Sequence, residues 1–238
     1  MNFPRPGWVV TSLLLAACGP SDQERLHYAE RQRTHCLMFL CDGDVVPIHN
    51  NMTEEALKLN GQWFIGPKEY FSTGINGASF EWWDHKPRSS SMKRAPEAQA
   101  LAVAGKSDFG ITINLRGDHI PPEPHGYALI ELAQKNGWIA SRTQLRPGLD
   151  AIQMKHVIGP NGYSIDHVTY YVATQLKGLD GLPPVATCAH SRPDYGGGTG
   201  FMWRPDIWAG TSMNQKHCVD WPEIYIETIR ILQLLKKA

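Results

Sequence analysis

The sequence predicts an α+β fold, a mostly antiparallel β-sheet with two main helices, one of which is an amphipathic C-terminal helix. Three observations support this prediction. Short runs rich in β-branched and aromatic residues recur between Gly, Pro and Asn turns. Residues 151–173 alternate as a hairpin does, and residues 221–237 carry apolar side chains at the period of a helix. The sequence contains no internal repeat.

The C-terminal helix is the clearest element. Asp220 lies three residues before Glu223, which is the spacing of a capping box, and Pro222 is tolerated in a first turn because its missing N–H has no partner there. One broad arc holds Trp221, Ile224, Tyr225, Ile229, Ile231, Leu232 and Leu235. The opposite arc holds Glu223, Glu227, Arg230, Gln233 and Lys237. Ile226 and Leu234 break the pattern, and we expect them to face a partner or a second layer of structure.

The hairpin has a predicted turn and register. Pro-Asn-Gly after Gly159 suits a type I turn with Gly162 in the left-handed conformation. In that register Ile152 opposes Tyr170, Met154 opposes Val168 and His156 opposes Asp166. The apolar residues then share one face, which supports the register.

The remaining elements are predicted from capping residues and turns. Thr53 is placed as the cap of a short helix over residues 54–59. A second long helix is expected over residues 125–136, ended by Gly137 in the left-handed conformation. Strands are expected over residues 63–65, 79–83 and 109–115.

The chain has five cysteines, and four of them can form two disulfides. Cys188 and Cys218 bracket the last strands. A bond between them closes a loop of about thirty residues, for which chain-entropy models give ~3–4 kcal/mol. The alternative is two buried free thiols. Cys36 and Cys41 flank an apolar run that reads as a strand, in which they lie too far apart to bond, so they pair only if the chain turns between them.

The first eighteen residues have the pattern of a secretory signal, with an apolar core over residues 8–17. The sequence Leu15-Ala16-Ala17-Cys18 resembles the bacterial lipobox, which implies that Cys18 is lipidated and becomes the new N-terminus. The alternative is a transmembrane start, but ten apolar residues are too few to span a bilayer. Gly19, rather than Asp, after the cysteine favours sorting to the outer membrane.

Domain organisation and charge follow from the rest of the chain. We expect a signal peptide over residues 1–18, a tether over residues 19–33 and a single α+β domain over residues 34–238, with residues 85–95 as a candidate internal boundary. The 23 basic residues balance the 23 acidic ones, which argues against a nucleic-acid partner. An even number of cysteines besides Cys18 fits an oxidising compartment.

No catalytic, metal or cofactor site is predicted. The stretch Gly210–Asn214 lacks the G-x-S-x-G elbow of serine hydrolases. None of the ten histidines lies at H-x-x-x-H spacing. His156 beside Asp166 is read as a surface cross-strand pair, with a proton-transfer dyad as the alternative. The glycines at 196–198 and 200 lack the lysine of a P-loop. The sequence therefore predicts a protein that is not an enzyme.

Aromatic residues cluster at strand positions where neighbouring side chains point to opposite faces. The candidates are Trp82, Trp83, Phe201, Trp203 and Trp208. One interpretation is that they cover hydrophobic seams. The other is a protein interface, because Trp and Tyr anchors are enriched at interfaces.

Two stretches of the chain are similar to those of immunity lipoproteins encoded beside phospholipase effectors of type VI secretion. They are the start, Thr34-His35-Cys36, and the ending, Gly200–Trp203 followed by Met213–Tyr225. The resemblance is clearest over the last fifty residues. It implies a periplasmic, lipid-anchored inhibitor that binds a lipase toxin and blocks its active-site entrance. No catalytic residues carry over from this family.

Two other functions remain open from the sequence. One is a cell-envelope lipoprotein that binds a small ligand or a structural partner. The other is a lipid-anchored hydrolase of unknown type. A neighbouring lipase gene favours immunity, whereas a deep pocket with convergent polar groups favours the alternatives.

Overall fold

The computed structural model describes residues 30, 35–37, 40–88, 100, 110–117, 124–158, 162, 164–189 and 196–238. The predicted signal peptide, including Cys18, lies outside these residues, as does the tether apart from residue 30. Residues 34–238 form one compact unit.

The described part of that unit contains thirteen strands and two long helices, with bounds as follows. The strands are β1 Glu54–Leu59, β2 Gln62–Pro67, β3 Phe71–Ser72, β4 Gly77–Trp83, β5 Lys86–Arg88, β6 Gly110–Arg116, β7 Ile139–Arg146, β8 Leu149–Met154, β9 Val168–Ala173, β10 Val185–Ala189, β11 Gly197–Arg204, β12 Ile207–Met213 and β13 Lys236–Lys237. The helices are α1 Gly126–Lys135 and α2 Trp221–Leu232, and a 3₁₀ helix, Gln215–Asp220, leads into α2.

The strands form two antiparallel sheets. The larger has ten strands in the order β3-β4-β6-β12-β11-β10-β9-β8-β7, with β5 paired to β4. The smaller has the order β1-β2-β13. The α+β class with a mostly antiparallel sheet and a C-terminal helix is therefore confirmed. Residues 86–88 of the candidate boundary belong to the sheet as β5, and residues 89–95 lie outside the described part of the chain.

The two helices pack against opposite faces of the large sheet. On β9, Val172 joins the apolar cluster that contains α1, and its neighbour Ala173 joins the cluster that contains α2. On β10, Val185 and Ala186 divide in the same way. Successive side chains of a strand point to opposite faces. The central strands are therefore covered on both sides.

Helix α2 confirms most of the predicted arc. Trp221, Ile224, Tyr225, Ile231 and Leu232 are buried. The predicted helix is too long at its end, because Leu235 is buried but lies beyond Leu232, and Lys237 belongs to β13, which pairs with β2. Ile226, which broke the pattern, is 55% exposed. The predicted capping box is wrong, because the Asp220 side chain makes no cap hydrogen bond and binds other partners. Glu227 is also buried. Its carboxylate accepts two hydrogen bonds from Arg230, which replace the hydrogen bonds to water that burial removes.

The hairpin register and the second helix are confirmed. Ile152 opposes Tyr170, and an isolated bridge between Ile158 and Ser164 continues the same register toward the turn. Gly162 has a φ of 80°. Helix α1 is bounded by His125 and Asn136 as predicted, and Gly137 after it has a φ of 67°.

The segment Glu54–Leu59 is a strand, and the predicted short helix is wrong. It pairs with β2 through a two-residue turn in which Asn60 and Gly61 both have positive φ. Leu57 and Leu59 are fully buried two residues apart, which is the period of a strand. Six residues are too few for helix propensity to outweigh sheet pairing.

Both disulfides form. Cys188 and Cys218 are joined with Cα atoms 6.6 Å apart, and Cys36 and Cys41 with Cα atoms 5.5 Å apart. The predicted strand over residues 36–41 is wrong, because residues 35–37 are helical and a turn follows Cys41. The 5.5 Å between the two Cα atoms is also too short for two residues five positions apart in one strand.

Two disulfides are typical of proteins that fold outside the cytoplasm, and the chain is accordingly extracytoplasmic. Within the described ranges, no helix is long and apolar enough to cross a membrane.

Candidate functional site

Three of the five aromatic interface candidates are buried. Trp82 is 1% exposed, and its indole N–H donates to Asp220 at 2.8 Å. Trp203 lies against Phe64 with ring centroids 5.8 Å apart. Trp208 is also buried and meets the ring of His125 edge-on at 4.7 Å. These three side chains are parts of the folded core.

The other two candidates keep some exposed surface. Trp83, at the end of β4, is half-buried. Phe201 on β11 is half-buried and packs edge-on against Tyr225 of α2, with centroids 5.2 Å apart. Of the five candidates, therefore, Trp83 and Phe201 keep surface that a partner could contact.

Almost half of the exposed large hydrophobic side chains among the described residues lie in a different, short stretch. Of the eleven exposed large hydrophobic side chains, five lie between Leu40 and Met52. Val45 is 82% exposed, Ile48 102% and Met52 86%; Leu40 and Val46 are exposed as well. Scattered exposed apolar residues are ordinary, whereas a contiguous apolar patch marks an interaction site. We call residues 40–52 the Leu40–Met52 segment.

The Leu40–Met52 segment has no regular secondary structure but is anchored at its start. The Cys36–Cys41 disulfide fixes one end. Asp44 accepts a hydrogen bond from the Cys41 N–H at 2.8 Å and pairs with the Lys58 ammonium of β1 at 2.6 Å. The hydrogen bond from Lys58, followed by that from Cys41, holds the pKa of Asp44 below its ordinary value. The Asp44 carboxylate therefore stays ionised at neutral pH.

The far end of the segment is held by Asn50. The Asn50 N–H donates to the Glu54 carboxylate at 2.8 Å, and the Asn50 side chain accepts from the Met52 N–H at 3.0 Å. The Asn50 carbonyl accepts from the N–H groups of Thr53 and Glu54. The backbone is thus tied down by local polar contacts, while the apolar side chains point to solvent.

The Leu40–Met52 segment borders a cavity of about 300 Å³. Its lining combines apolar residues, among them Leu40, Val46 and Trp63, with polar and charged residues such as Glu55 and Lys68. The Lys68 ammonium and the Glu55 carboxylate are 3.7 Å apart.

The sequence prediction missed this segment. Its signal is present, since Val45, Val46 and Ile48 are apolar residues around a proline in a stretch with neither the helical nor the strand period. Apolar residues without a period have no face to bury against an element of secondary structure. Only the structure shows that they remain on the surface.

A second cavity, of about 600 Å³, lies between α1 and the large sheet. Leu129 of α1, Val185 of β10, Gly200 of β11 and Trp208 of β12 are among the residues that line it. We call it the α1 cavity. It shares no lining residue with the Leu40–Met52 segment.

One cluster near the α1 cavity has the residue types of a catalytic triad. His156 Nδ1 lies 2.9 Å from Asp166 and 3.3 Å from the hydroxyl of Ser164, and that hydroxyl also donates to Asp166. In a triad the two imidazole nitrogens have separate partners, one the carboxylate and the other the hydroxyl. Here the same nitrogen faces both groups, so the serine is not activated. The predicted cross-strand pair of His156 and Asp166 is present.

The described residues offer no metal site, because no group of three His, Cys, Asp or Glu side chains is close enough to hold an ion. The hydrogen bonds from Ser164 and then from His156 hold the pKa of Asp166 below its ordinary value. The Asp166 carboxylate is therefore hydrogen-bonded to both Ser164 and His156.

A second His–Asp pair links the β4–β5 hairpin to the start of α2. His85 Nδ1 lies 2.8 Å from Asp220, whose other oxygen accepts from Trp82. Asp84 and His85 both have positive φ, as a tight two-residue hairpin requires. The hydrogen bond to Asp220 raises the pKa of His85 above its ordinary value.

We expect the stabilising effect of His85 to depend on pH. Because its pKa is raised on folding, the contribution is fully present below the ordinary histidine pKa and is lost as pH rises through the folded value. His85→Ala should lower the melting temperature more at about pH 5 than at about pH 9. Asp220→Asn serves as the control background, in which the pH dependence of the His85→Ala effect should be much smaller, since only the weaker charge interactions with Asp84 and Glu223 remain. An equal effect in the unaltered background would contradict the pairing.

Part of the chain is similar to a known protein. A stretch of 146 residues is 27% identical to the epididymis-specific alpha-mannosidase of Sus scrofa, which is 61% of this chain and 14% of that protein. No family model matches the chain. No solved structure matches it either. The chain spans about a seventh of the length of this relative.

Proposed function

We propose that this chain is a membrane-anchored immunity protein that binds and inhibits a periplasm-acting lipase toxin of type VI secretion. The single observation that carries the proposal is the Leu40–Met52 segment, an ordered surface stretch with five exposed large apolar side chains. The disulfides support an extracytoplasmic location, and the resemblance of the chain's start and ending supports the class of partner.

The chemistry of the segment suits a lipase. A lipase must admit an acyl chain, so the entrance to its active site has to be apolar. Val45, Ile48 and Met52 are apolar and project from a backbone that is already ordered. A preordered backbone avoids much of the entropy cost of binding. Each large apolar side chain contributes about 1.5–3 kcal/mol when it becomes fully buried.

Inhibition by this route requires no chemical step from the chain. The segment covers the entrance, excludes the substrate and leaves the catalytic residues of the toxin unchanged. To compete with substrate the complex needs nanomolar affinity or better, about 12 kcal/mol. A few central anchors usually supply most of such a value.

The proposal predicts that Ile48→Asp weakens binding to the lipase encoded beside this chain's gene by at least about 100-fold. The reason is that the substitution places a charge where an apolar anchor is buried. Calorimetric titration gives the dissociation constant, and lipase activity at increasing ratios of inhibitor gives the inhibition. Ile48 is fully exposed, so folding is expected to be unaffected.

Ile158→Asp is the matched control, because Ile158 is also an exposed isoleucine, at 62%, but lies in the β8–β9 hairpin. We expect it to bind as the unaltered chain does. If the lipase does not bind the unaltered chain, the proposed function is wrong. If it binds and Ile48→Asp has no effect, the interface lies elsewhere, and Trp83 and Phe201 are the next residues to replace.

A second candidate function is a cell-envelope protein that binds a small ligand, and the α1 cavity favours it. Mannoside hydrolysis is not part of this candidate. Glycosidases use two carboxylates that flank the scissile bond. Among the described residues that line the α1 cavity there is no Asp or Glu.

A further inference from the structure

The α1 cavity results from glycines on the sheet face that α1 covers. Thr187 of β10 opposes Gly198 of β11, so Gly198 lies on the same face as Thr187, and Gly200, two residues further, lies there too. Gly200 in turn opposes Gly210 of β12. Gly198 and Gly200 line the cavity, and neither carries a side chain that would extend from the sheet toward α1.

Trp208 forms one wall of the cavity because Gly200 makes room for it. A Cβ atom at Gly200 would overlap the indole ring of Trp208. The ring of His125, at the start of α1, meets the same indole edge-on. The wall is therefore a packed arrangement of aromatic rings rather than a loosely placed side chain.

The only basic side chains among the described residues that line the cavity are the imidazoles of His125 and His167. Among the described residues that line it there is no Lys, Arg, Asp or Glu. Leu129, Ile165, Val168 and Val185 supply aliphatic surface. A charged ligand that entered would lose hydration without gaining an opposite charge.

Most hydroxyl groups of the lining residues are already used within the fold. The exception is the Thr211 hydroxyl, which is buried without a hydrogen-bond partner among the described residues; Thr211 alternates with Ala209 and Met213, which pack in the α2 cluster, so it shares their face of β12. Thr187 donates to the Gly198 carbonyl at 3.2 Å, and Tyr170 donates to the Ile165 carbonyl at 3.3 Å. Thr199 donates to the Val185 carbonyl. Sugars are recognised through many hydrogen bonds, and these groups offer few. A ligand with a mostly apolar body and a small polar head fits better.

We infer that the α1 cavity binds an uncharged acyl compound, an aliphatic chain with a hydroxyl or ester head, of the class that monoacylglycerols represent. Its volume of about 600 Å³ is within the range of small-molecule sites. The chain lies against Leu129, Val185 and Trp208, and the head is left to His167, which can donate or accept one hydrogen bond. This inference is independent of toxin binding.

The test is a calorimetric titration of the purified chain with 1-monolauroylglycerol below its critical micelle concentration. We expect saturable binding at one site. Laurate has the same chain but a carboxylate head, and it should bind at least about tenfold more weakly because the lining has no cation. Methyl α-mannoside, which is neutral but polar, should give no binding.

Leu129→Trp fills the cavity from the helix side and should weaken binding of 1-monolauroylglycerol at least about tenfold. Glu131→Trp is the matched control, because it adds the same indole at an exposed position of α1 that does not line the cavity, and its binding should be unchanged. Circular dichroism verifies that both variants fold. Absence of saturable binding, equal binding by Leu129→Trp, or preference for laurate or the mannoside would each overturn the inference.

Discussion

Replacing Trp221 with alanine should lower the free energy of unfolding by about 4 kcal/mol, among the largest effects of any single substitution in this chain. Trp221 is the first residue of α2 and is fully buried. Its ring meets Tyr225 edge-on, with centroids 5.5 Å apart. Its indole N–H donates to the Pro184 carbonyl, which also accepts from the Ala173 N–H at 3.0 Å. One side chain thus joins the helix to two strands.

Most of the loss comes from the cavity that the indole leaves, since the Pro184 carbonyl keeps its other partner. Urea denaturation with a constant m-value measures the change. Ile226→Ala is the control on the same helix, because Ile226 is 55% exposed, and it should change the stability by less than about 0.5 kcal/mol. A loss below about 1.5 kcal/mol for Trp221→Ala would contradict the role of Trp221 as the anchor of α2.

The elements that the sequence predicted correctly are those with a strong local signal. Helix α2 has an apolar arc over more than two turns, and α1 has Gly137 at its end. The β8–β9 hairpin has a turn with one favourable geometry and an alternation that allows one register. Each of these depends on residues close together in the chain.

The errors occur where distant residues decide the structure. Glu54–Leu59 is a strand because it pairs with Gln62–Pro67. The pattern of these six residues alone does not predict that pairing. Asp220 has the spacing of a helix cap but is recruited by Trp82 and His85, both more than a hundred positions away in sequence. The disulfide between Cys36 and Cys41 requires their Cα atoms to be close together, and the apolar run that they flank predicts an extended strand instead.

The candidate interface shows the same limit. Alternation in a strand predicts that one of two neighbouring aromatics reaches solvent, but this holds only when one face of the sheet is open. Both faces of β12 are covered, so Ala209 packs in the α2 cluster while Trp208 packs against His125 of the α1 side. The exposed apolar surface is found instead in the Leu40–Met52 segment, which belongs to no strand or helix.

Replacing Cys18 with alanine should release the protein from the membrane almost completely. Leu15-Ala16-Ala17-Cys18 resembles the lipobox, in which the cysteine sulfur is the acceptor of the lipid. Each buried acyl CH₂ contributes about 0.8 kcal/mol, so two or more chains hold a protein on a bilayer nearly permanently, and an unmodified chain lacks that attachment. Fractionation of cells and incorporation of labelled palmitate are the measurements.

Gly19→Ala is the matched control, since it alters the next residue and leaves the acceptor cysteine in place. It should remain in the membrane fraction and incorporate palmitate as the unaltered chain does. The Cys18→Ala protein should also lose protection against the toxin in cells while its purified domain, residues 34–238, still binds the lipase, because the proposed anchor and the proposed interface belong to different units of the chain. Palmitate incorporation by Cys18→Ala, or its unchanged membrane fractionation, would show that the anchor is not at this cysteine.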